Sequence, residues 1–389
     1  MNERIFIQPD VDFIKYLKKH GGDSVKKCFQ CATCSVVCSL SPENKAFPRK
    51  EMISASWGQM ESLISNPDVW LCHGCTDCST YCPRGAKPAD VLGAVRSYII
   101  EFFAVPKFMG TLAQNPKYLA LLLLIPALII FAISFVHLDG NYVQLTEGTI
   151  VFDRLFPHSV VDPLFIFGNI LAFTFAGIAL TKFWKNLRMA VPSNNGKGFI
   201  SVFIKTIVEV FTHKNFNLCS KDSTRFWGHL FIFYGFAGAF LTTALAAVAD
   251  IVFHYKAPIP IFSPIKILGN ISGILMVVGT VVVIFRRING KDKITSTYFD
   301  WSLIFFVFGV ALTGLLTQYT RLFEIPELAY SLYYIHMVLL FCLLWYAPFS
   351  KLAHMFYRTL ALVYLKMNDR NKKEAIFSNA LFLSIFIKL

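Results

Sequence analysis

Two stretches decide the fold of the first hundred residues: CFQCATCSVVC at 28–38 and CHGCTDCSTYCP at 72–83. Both place four cysteines with the same spacing, and together they hold eight of the ten cysteines in the chain. Three thiolates on one short, tightly wound loop can bind three irons of a cubane cluster, whereas the fourth thiolate must come from elsewhere. The doubled spacing therefore predicts two [4Fe–4S] clusters.

The last cysteine of each run is expected to bind the cluster of the other run, as it does in two-cluster ferredoxins. The predicted ligands are Cys28, Cys31, Cys34 and Cys82 for one cluster, and Cys72, Cys75, Cys78 and Cys38 for the second. A zinc ribbon would need only two CxxC pairs and would leave one cysteine of each run without a role. Disulfides are disfavoured in a reducing compartment. Ser39 stands where the bacterial ferredoxin pattern has Pro, which removes no ligand.

The remainder of the chain has the composition of an integral membrane protein, since the whole is 55% hydrophobic and only 16% charged. We predict a two-cluster domain at 1–110, a membrane domain at 111–360 and a cytoplasmic or interfacial tail at 361–389. Six apolar segments are long enough to cross about 30 Å of hydrocarbon as helices. They are 118–137, 163–184, 228–253, 264–285, 299–318 and 328–348.

The net charge of +13 is explained by basic connectors beside the apolar segments. Lys and Arg concentrate in 182–225, in 286–293 and in the tail, whereas the loops 138–162 and 319–327 are acidic. The positive-inside rule then predicts that both termini and the two-cluster domain are cytoplasmic, in the inner membrane of the cell. The first residues lack a signal-peptide core, which agrees with this orientation. Because the membrane accounts for the charge, we expect no nucleic-acid partner.

Histidines in or beside the predicted helices indicate a b-type haem. His336 and His354 are 18 residues apart, so one helix would present both on the same face, about 27 Å apart. Pro348 lies between them and could kink this helix without destroying the alignment. His229 begins the third segment at the depth of His354, and these two imidazoles could hold one iron between them. Ionisable side chains inside membranes are rare and usually functional, although interfacial histidines without a ligand role are the alternative. The other histidines expected at the surface or in loops are His20, His73, His137 and His213.

The surroundings of these histidines extend the haem hypothesis. Arg225 lies one turn before His229, where it could pair with a haem propionate, and Gly235 and Gly238 would leave room for a flat macrocycle. His336 needs a second ligand from the outer side of the membrane, and the candidates are His158 and His254. The sequence leaves open whether one haem or two are bound.

Three segments carry a resemblance to known families. The helical spacer RKEMISASWGQMESLI (49–64) resembles the helical ferredoxin module of succinate dehydrogenase iron–sulfur subunits and of the C subunit of heterodisulfide reductase. The RFWGH sequence at 225–229, with His336 and His354, resembles the cytochrome b subunit of respiratory nitrate reductase and the membrane subunit of heterodisulfide reductase. That resemblance makes His229 and His354 a cytoplasm-side haem pair and His336 an outer ligand. Ala239 stands where the family has its fourth ligand.

The fusion of both parts resembles the family of C subunits from quinone-interacting membrane-bound oxidoreductase complexes. This resemblance implies an all-α fold, with a helical ferredoxin domain before a six-helix transmembrane haem b bundle. It also implies menaquinone as membrane substrate, flavin and iron–sulfur partners like the A subunit of heterodisulfide reductase, and, beyond them, adenylylsulfate reductase. Candidate quinone-site residues near the outer haem are Tyr330, Tyr333, Tyr334, Glu324 and Glu327, although Tyr also marks membrane interfaces.

Two other functions are compatible with the same residues. One is a role in a different heterodisulfide-reductase-like complex, and the other is a membrane anchor whose clusters sense redox state without catalysis. A transporter is disfavoured, because the apolar segments show neither inverted halves nor paired broken helices. The final stretch AIFSNALFLSIFIKL (375–389) is predicted to form an interfacial helix.

Overall fold

The computed structural model describes residues 8–42, 46–190, 198–213, 223–255, 258–289 and 295–368, so the predicted interfacial helix at 375–389 lies outside the described residues. Within those ranges the regular structure is helical and no strand is present, which confirms the all-α class. The N-terminal helices are α1 (Val11–Leu17), α2 (Thr33–Val36), α3 (Arg49–Ser56), α4 (Met60–Ile64), α5 (Asp77–Thr80), α6 (Pro88–Phe103) and α7 (Lys107–Gln114). The following helices are α8 (Leu119–His137), α9 (His158–Ala190), α10 (Phe199–Thr212), α11 (Ser223–Ile251), α12 (Pro264–Asn289), α13 (Tyr298–Leu322), α14 (Pro326–Trp345) and α15 (His354–Met367).

Six of these helices, α8, α9, α11, α12, α13 and α14, are long and apolar enough to cross a membrane, as the sequence predicts. Their large apolar side chains point outward: Phe167, Phe173 and Phe240 are each more than three-fifths exposed. A water-soluble protein does not tolerate such a continuous apolar exterior, whereas lipid does. Helix α14 is the most enclosed of the six and forms the centre of the bundle.

Helices α11 and α12 touch along a strip of small residues. A Cβ atom at Gly235 would lie only 2.9 Å from the backbone nitrogen of Met276 and from the carbonyl oxygen of Ser272. Gly238 also faces Ser272. Small residues let membrane helices approach closely without a hydrophobic driving force between them. The prediction that Gly235 and Gly238 leave room for a macrocycle is therefore wrong, because α12 fills that space.

The helix predicted to carry both His336 and His354 is broken. Helix α14 ends at Trp345, a 3-10 turn surrounds Pro348, and Ser350 is extended with ψ 177°. A second turn follows, in which the Ser350 hydroxyl accepts from the Leu352 N–H at 3.1 Å, and α15 begins at His354 itself. Proline lacks the donor that a helix interior needs and disfavours helical backbone before it. The prediction of one continuous helix with both rings on one face is therefore wrong.

The N-terminal domain and the membrane helices share one apolar core. Trp70 is fully buried at its centre, stacked on Tyr357 of α15 at 5.6 Å and edge-on to Phe183 of α9 at 5.9 Å. A polar contact lies nearby, because the Thr295 N–H donates to the Asp90 carboxylate at 3.1 Å. The N-terminal domain thus meets three parts of the membrane domain on one side of the bundle: α15, the end of α9 and the residues just before α13. This is expected, because an even number of membrane helices separates the N-terminal domain from each of them along the chain.

Candidate metal centres

The two cysteine loops have the same backbone despite different sequences. Gln30 and Gly74 occupy equivalent positions and both are left-handed, with φ of 60° and 67°. Ala32 and Thr76, two residues later, repeat this with φ of 67° and 70° and begin the four-residue helices α2 and α5. A left-handed residue with a side chain costs about 1–2 kcal/mol, so a shared constraint must maintain it. Such turns point main-chain N–H groups into a concave anion site, as at many iron–sulfur centres.

Four cysteines, which we name the surface cysteine set, approach one another at one end of the domain. They are Cys28, Cys31, Cys34 and Cys82. Burial, together with the neighbouring Cys28, Cys31 and Cys82, raises the pKa of the Cys34 thiol to about 11. The Cys31 side chain is exposed and the other three are half-buried. This grouping includes Cys82 from the second run, as the crossed pattern predicts.

The other four cysteines, which we name the membrane-facing cysteine set, line a single cavity. They are Cys38, Cys72, Cys75 and Cys78. Burial, followed by the Cys72 and Cys75 thiols, raises the pKa of Cys38 to about 12, so iron binding there would have to displace protons. Within the described residues, no three His, Cys, Asp or Glu side chains are close enough to share a single metal ion. Thiols spread around a common space fit a cubane better than a zinc ion, and the ligand assignment stays a prediction.

Two arginines hold the loop of the membrane-facing set. Arg225 at the start of α11 donates from Nη1 to the His73 carbonyl at 2.9 Å. Arg96 of α6, which the sequence analysis did not single out, donates to the carbonyls of Cys72 at 3.2 Å and Val69 at 3.3 Å. Arg225 therefore contacts the cysteine loop directly, whereas its predicted pairing with a propionate stays untested. The sequence did not distinguish Arg96 from the other charged residues of α6, Asp90 and Glu101.

His229 and His354 approach this region from two different elements. The His354 ring lies 5.4 Å from the Trp70 ring. Burial, followed by the charges of Arg96 and Arg358, lowers the pKa of His354 well below its usual value, and His229 contributes to the same effect. His354 is thus kept neutral, the form in which an imidazole binds iron. The structure brings these two predicted haem ligands close to each other and to the membrane-facing cysteine set.

Buried polar atoms beside His354 provide a test of whether a haem fits. Trp70 Nε1 and Tyr357 Oη are both inaccessible and lack a hydrogen-bond partner within the described part of the chain. Buried donors of this kind are almost always satisfied, and the carboxylates of a porphyrin accept hydrogen bonds. His229, on α11, retains exposed surface. These residues fit a haem held by His229 and His354.

His213, which was expected at the surface or in a loop, is a neighbour of this site. It ends α10 in a left-handed conformation, with φ of 51°, and only 8% of it is exposed. Its ring lies 5.4 Å from the His229 ring at an angle of 67°, and its Nδ1 lies 3.1 Å from the Phe211 carbonyl. Of the two predicted positions, a loop position agrees with the turn that His213 forms at the end of α10, whereas a surface position is wrong, because the ring packs against α11.

His336 lies within the bundle, away from its predicted partners. Its Nδ1 is 3.1 Å from the hydroxyl of Thr313, and Gly314 leaves the space that the ring occupies against α13. His158 is exposed at the start of α9, and His254 is exposed just beyond α11. The structure brings neither ring against His336, and the choice between them stays a prediction.

The candidate quinone residues divide by environment. The Tyr330 hydroxyl is bonded to the backbone of Val151 at 3.2 Å, and the Tyr334 hydroxyl donates to the Ala127 carbonyl at 2.8 Å. These two hydroxyls therefore fasten the bundle, and their role towards quinone stays untested. The ring of Tyr333 packs on two phenylalanines, whereas the carboxylates Glu324 and Glu327 are exposed.

A polar network between α12 and α13 was not foreseen. The Gln318 amide donates to Asn270 at 2.7 Å, and Lys266 donates to Gln318 at 3.4 Å. The hydroxyl of Thr317, one position earlier, is buried and has no partner within the described residues. Thr313, one turn earlier in α13, contacts His336. Lys266 lies in the first turn of α12 and Gln318 in the last turns of α13, so this network joins neighbouring ends of the two helices.

Comparison with known proteins agrees with this two-part structure. Residues 24–86 match the family model described as a 4Fe-4S dicluster domain, and residues 112–375 match that of citrate utilization protein B. With its six apolar helices, the chain is a multi-pass membrane protein with an N-terminal iron–sulfur domain. It belongs to the citrate utilization protein B family, whose model covers more than half of its length.

Individual relatives match different parts of the chain. The Escherichia coli citrate utilization protein B is 24% identical over 360 residues, which are 90% of this chain and 92% of that protein. The C subunit of the H(2):CoB-CoM heterodisulfide,ferredoxin reductase of Methanothermobacter marburgensis is 35% identical over 88 residues, 23% of this chain and 48% of that relative. The chain thus spans about half the length of the methanogen protein.

The membrane part has a relative of its own. The E subunit of the dihydromethanophenazine:CoB--CoM heterodisulfide reductase of Methanosarcina thermophila is 27% identical over 199 residues, which are 47% of this chain and 73% of that relative. No solved structure matches the chain significantly. The N-terminal part therefore resembles the C subunit of heterodisulfide reductase, and the remainder resembles citrate utilization protein B and the E subunit.

Proposed function

We propose that the chain is the membrane electron-transfer subunit of a heterodisulfide-reductase-like complex, and that it exchanges electrons between quinone and soluble flavin and iron–sulfur subunits. The observation that carries this proposal is the position of the membrane-facing cysteine set. Its loop is held by Arg225 of a membrane helix, and it lies beside His354 and His229. A metal centre there would connect the membrane helices with the surface of the N-terminal domain.

The chain contributes placement, and the redox chemistry belongs to its cofactors. When bound, two [4Fe–4S] clusters and one or two b-type haems would supply one-electron carriers. The surface cysteine set faces the compartment of the soluble partner, and the membrane-facing set is enclosed with Trp70. His354 and His229 would hold haem iron, and His336 would hold a second haem with His158 or His254. Burial around His354 excludes water from the region between cluster and haem.

The narrower parts of the proposal rest on the sequence resemblance. They are menaquinone as membrane substrate, partners like the A subunit of heterodisulfide reductase, and delivery of electrons towards adenylylsulfate reductase. The positive-inside rule supports a cytoplasmic N-terminal domain in the inner membrane, with boundaries near 110 and 360. For the quinone, the Lys266–Gln318 network is a further candidate beside the residues predicted from the sequence, which are Tyr330, Tyr333, Tyr334, Glu324 and Glu327.

A second function is favoured by the Escherichia coli relative, which extends over both parts of the chain. Its name connects it with citrate utilization, so the soluble partner could be an oxidoreductase acting on citrate or a similar carboxylate instead. In both functions the chain carries electrons through the membrane boundary. The two are distinguished by which soluble enzyme reduces or oxidises the purified chain.

The decisive experiment is a redox-titrated optical and EPR spectrum of the anaerobically purified protein, with iron, sulfide and haem quantified. We expect about eight irons and eight sulfides from the two predicted cubanes, together with b-type haem that quinol reduces. Clusters without any b-type haem would reject electron transfer to quinone and favour a redox-sensing anchor. Absence of both cofactors would reject the proposal entirely.

A further inference from the structure

Three large apolar side chains are exposed around the surface cysteine set. Val36 is 84% exposed, Phe29 is 67% exposed and Tyr81 is 63% exposed. Phe29 follows Cys28 and Tyr81 precedes Cys82, so each is fixed beside a predicted cluster ligand. An exposed apolar group with a polar rim is typical of a protein interface, whereas scattered single residues are not. This surface is separate from the one that packs on the membrane helices.

Positive charge surrounds these apolar residues. The Arg84 guanidinium lies 4.0 Å from the centre of the Phe29 ring, and both groups are exposed. Lys26 and Lys27 are exposed immediately before Cys28. Between 23 and 42 the sequence contains these two lysines and one carboxylate, Asp23, so this segment carries a net positive charge. A rim of this sign attracts an acidic partner and accelerates its encounter.

We propose that this patch (Phe29, Val36, Tyr81, Lys26, Lys27 and Arg84) docks a soluble redox protein whose own cofactor is surrounded by acidic side chains. The inference rests on the proposed function, because it requires a cluster at the surface cysteine set. One electron passes between the partner's cofactor and that cluster, and no bond forms or breaks. The exposed Cys31 marks where the two centres approach most closely.

The test uses the full chain in detergent and flavodoxin hydroquinone as an acidic protein probe in a stopped-flow instrument. Each hydroquinone gives one electron to the oxidised cluster and becomes the semiquinone. The second-order rate constant is expected to fall about tenfold as salt rises, and about tenfold in the Lys26→Glu, Lys27→Glu variant at low salt. The matched control Lys18→Glu, Lys19→Glu reverses two exposed charges just after α1 and should leave the rate unchanged.

A second variant tests the apolar part. Phe29→Ser should lower the rate constant severalfold at every salt concentration, because contact rather than charge is lost. Iron and sulfide content and the EPR spectrum are measured in each variant, so failure of the docking surface is distinguished from failure of the proposed function. The proposal would be overturned if the control variant slowed the reaction as much as the Lys26→Glu, Lys27→Glu variant, or if neither variant slowed it. So would a Phe29→Ser variant that changes only self-association in light scattering.

Discussion

The charge that Arg225 places beside the membrane-facing cysteine set leads to a measurable prediction. Its Nη1 lies 2.9 Å from the His73 carbonyl, within the loop that carries Cys72 and Cys75. Replacing Arg225 with Gln removes the positive charge but keeps a side-chain donor for that carbonyl. A nearby positive charge stabilises an added electron, so the substitution should lower the reduction potential of the cluster bound by this set.

Coulomb's law gives the size of this effect. For a guanidinium roughly 8 Å from the cluster centre and an effective dielectric constant of about 20, the interaction is about 2 kcal/mol. For one electron this corresponds to a shift of about 90 mV. Mobile ions reach one side of the arginine, so screening reduces the expected shift to about 50–90 mV.

The assay is an EPR-monitored redox titration of the purified protein, in which the two clusters are followed separately. Arg225→Gln should lower one midpoint potential and leave the other nearly unchanged. Arg154→Gln is the control, since this arginine lies in the loop between α8 and α9 and donates to the Glu147 carbonyl. Equal shifts of both clusters, or an unchanged potential with full cluster content, would refute this electrostatic account.

Four further predictions follow from named contacts. Cys38→Ser should halve the non-haem iron and sulfide content and remove the cluster near the membrane, whereas loss of the surface cluster instead would contradict the crossed assignment. His354→Ala should remove the absorbance of the b-haem that it holds and preserve the iron–sulfur EPR signals; undiminished haem would exclude it as a ligand. A Cβ atom at Gly279 would lie 2.9 Å from the backbone nitrogen of Ile232, so Gly279→Leu should lower stability in detergent by about 2 kcal/mol or more. Gly177→Leu is the control and should not lower it, because no atom lies within 4 Å of the Cβ position there. Burial and Asp68 raise the pKa of Glu51 to about 7 in the folded state, so the free energy of unfolding falls as pH rises from its ordinary pKa of 4.5 towards 7. Glu51→Gln should therefore raise the free energy of unfolding by about 2–3 kcal/mol at pH 8 and leave it almost unchanged at pH 4. Denaturant unfolding at the two pH values measures this difference.

The sequence predicted what depends on composition and on local spacing. Six apolar segments were found because lipid demands about twenty apolar residues for each crossing, irrespective of how the helices later pack. The grouping of Cys38 with the second run was foreseen because one tight loop can present only three thiolates to a cubane. The left-handed residues at equivalent positions in both loops agree with this, because a loop must wind tightly to present three thiolates to one cluster.

The errors concern features that depend on packing between distant segments. Gly235 indicated open space, but small residues serve equally well for close helix contact, and α12 occupies the position. For His336 and His354, a kink at Pro348 was expected to preserve the alignment of the two rings, whereas the helix ends at Trp345 and a new helix starts at His354. The burial of His213 depends on the contact of its ring with His229 and Phe233 of α11, which no local sequence pattern predicts.

The break before His354 places this residue against the apolar core that the N-terminal domain shares with the membrane helices. A continuous α14 would carry His354 onward along its own axis, whereas the break lets α15 start in a new direction with its first residue beside Trp70. Lys351, within the turn, contacts Asp300 at the start of α13, which fixes the segment to the neighbouring helix. The contacts that dock the N-terminal domain therefore also position His354. A single packing arrangement therefore positions both the cluster domain and the predicted haem ligand His354, because Trp70 contacts His354 and Tyr357 and lies two residues before Cys72.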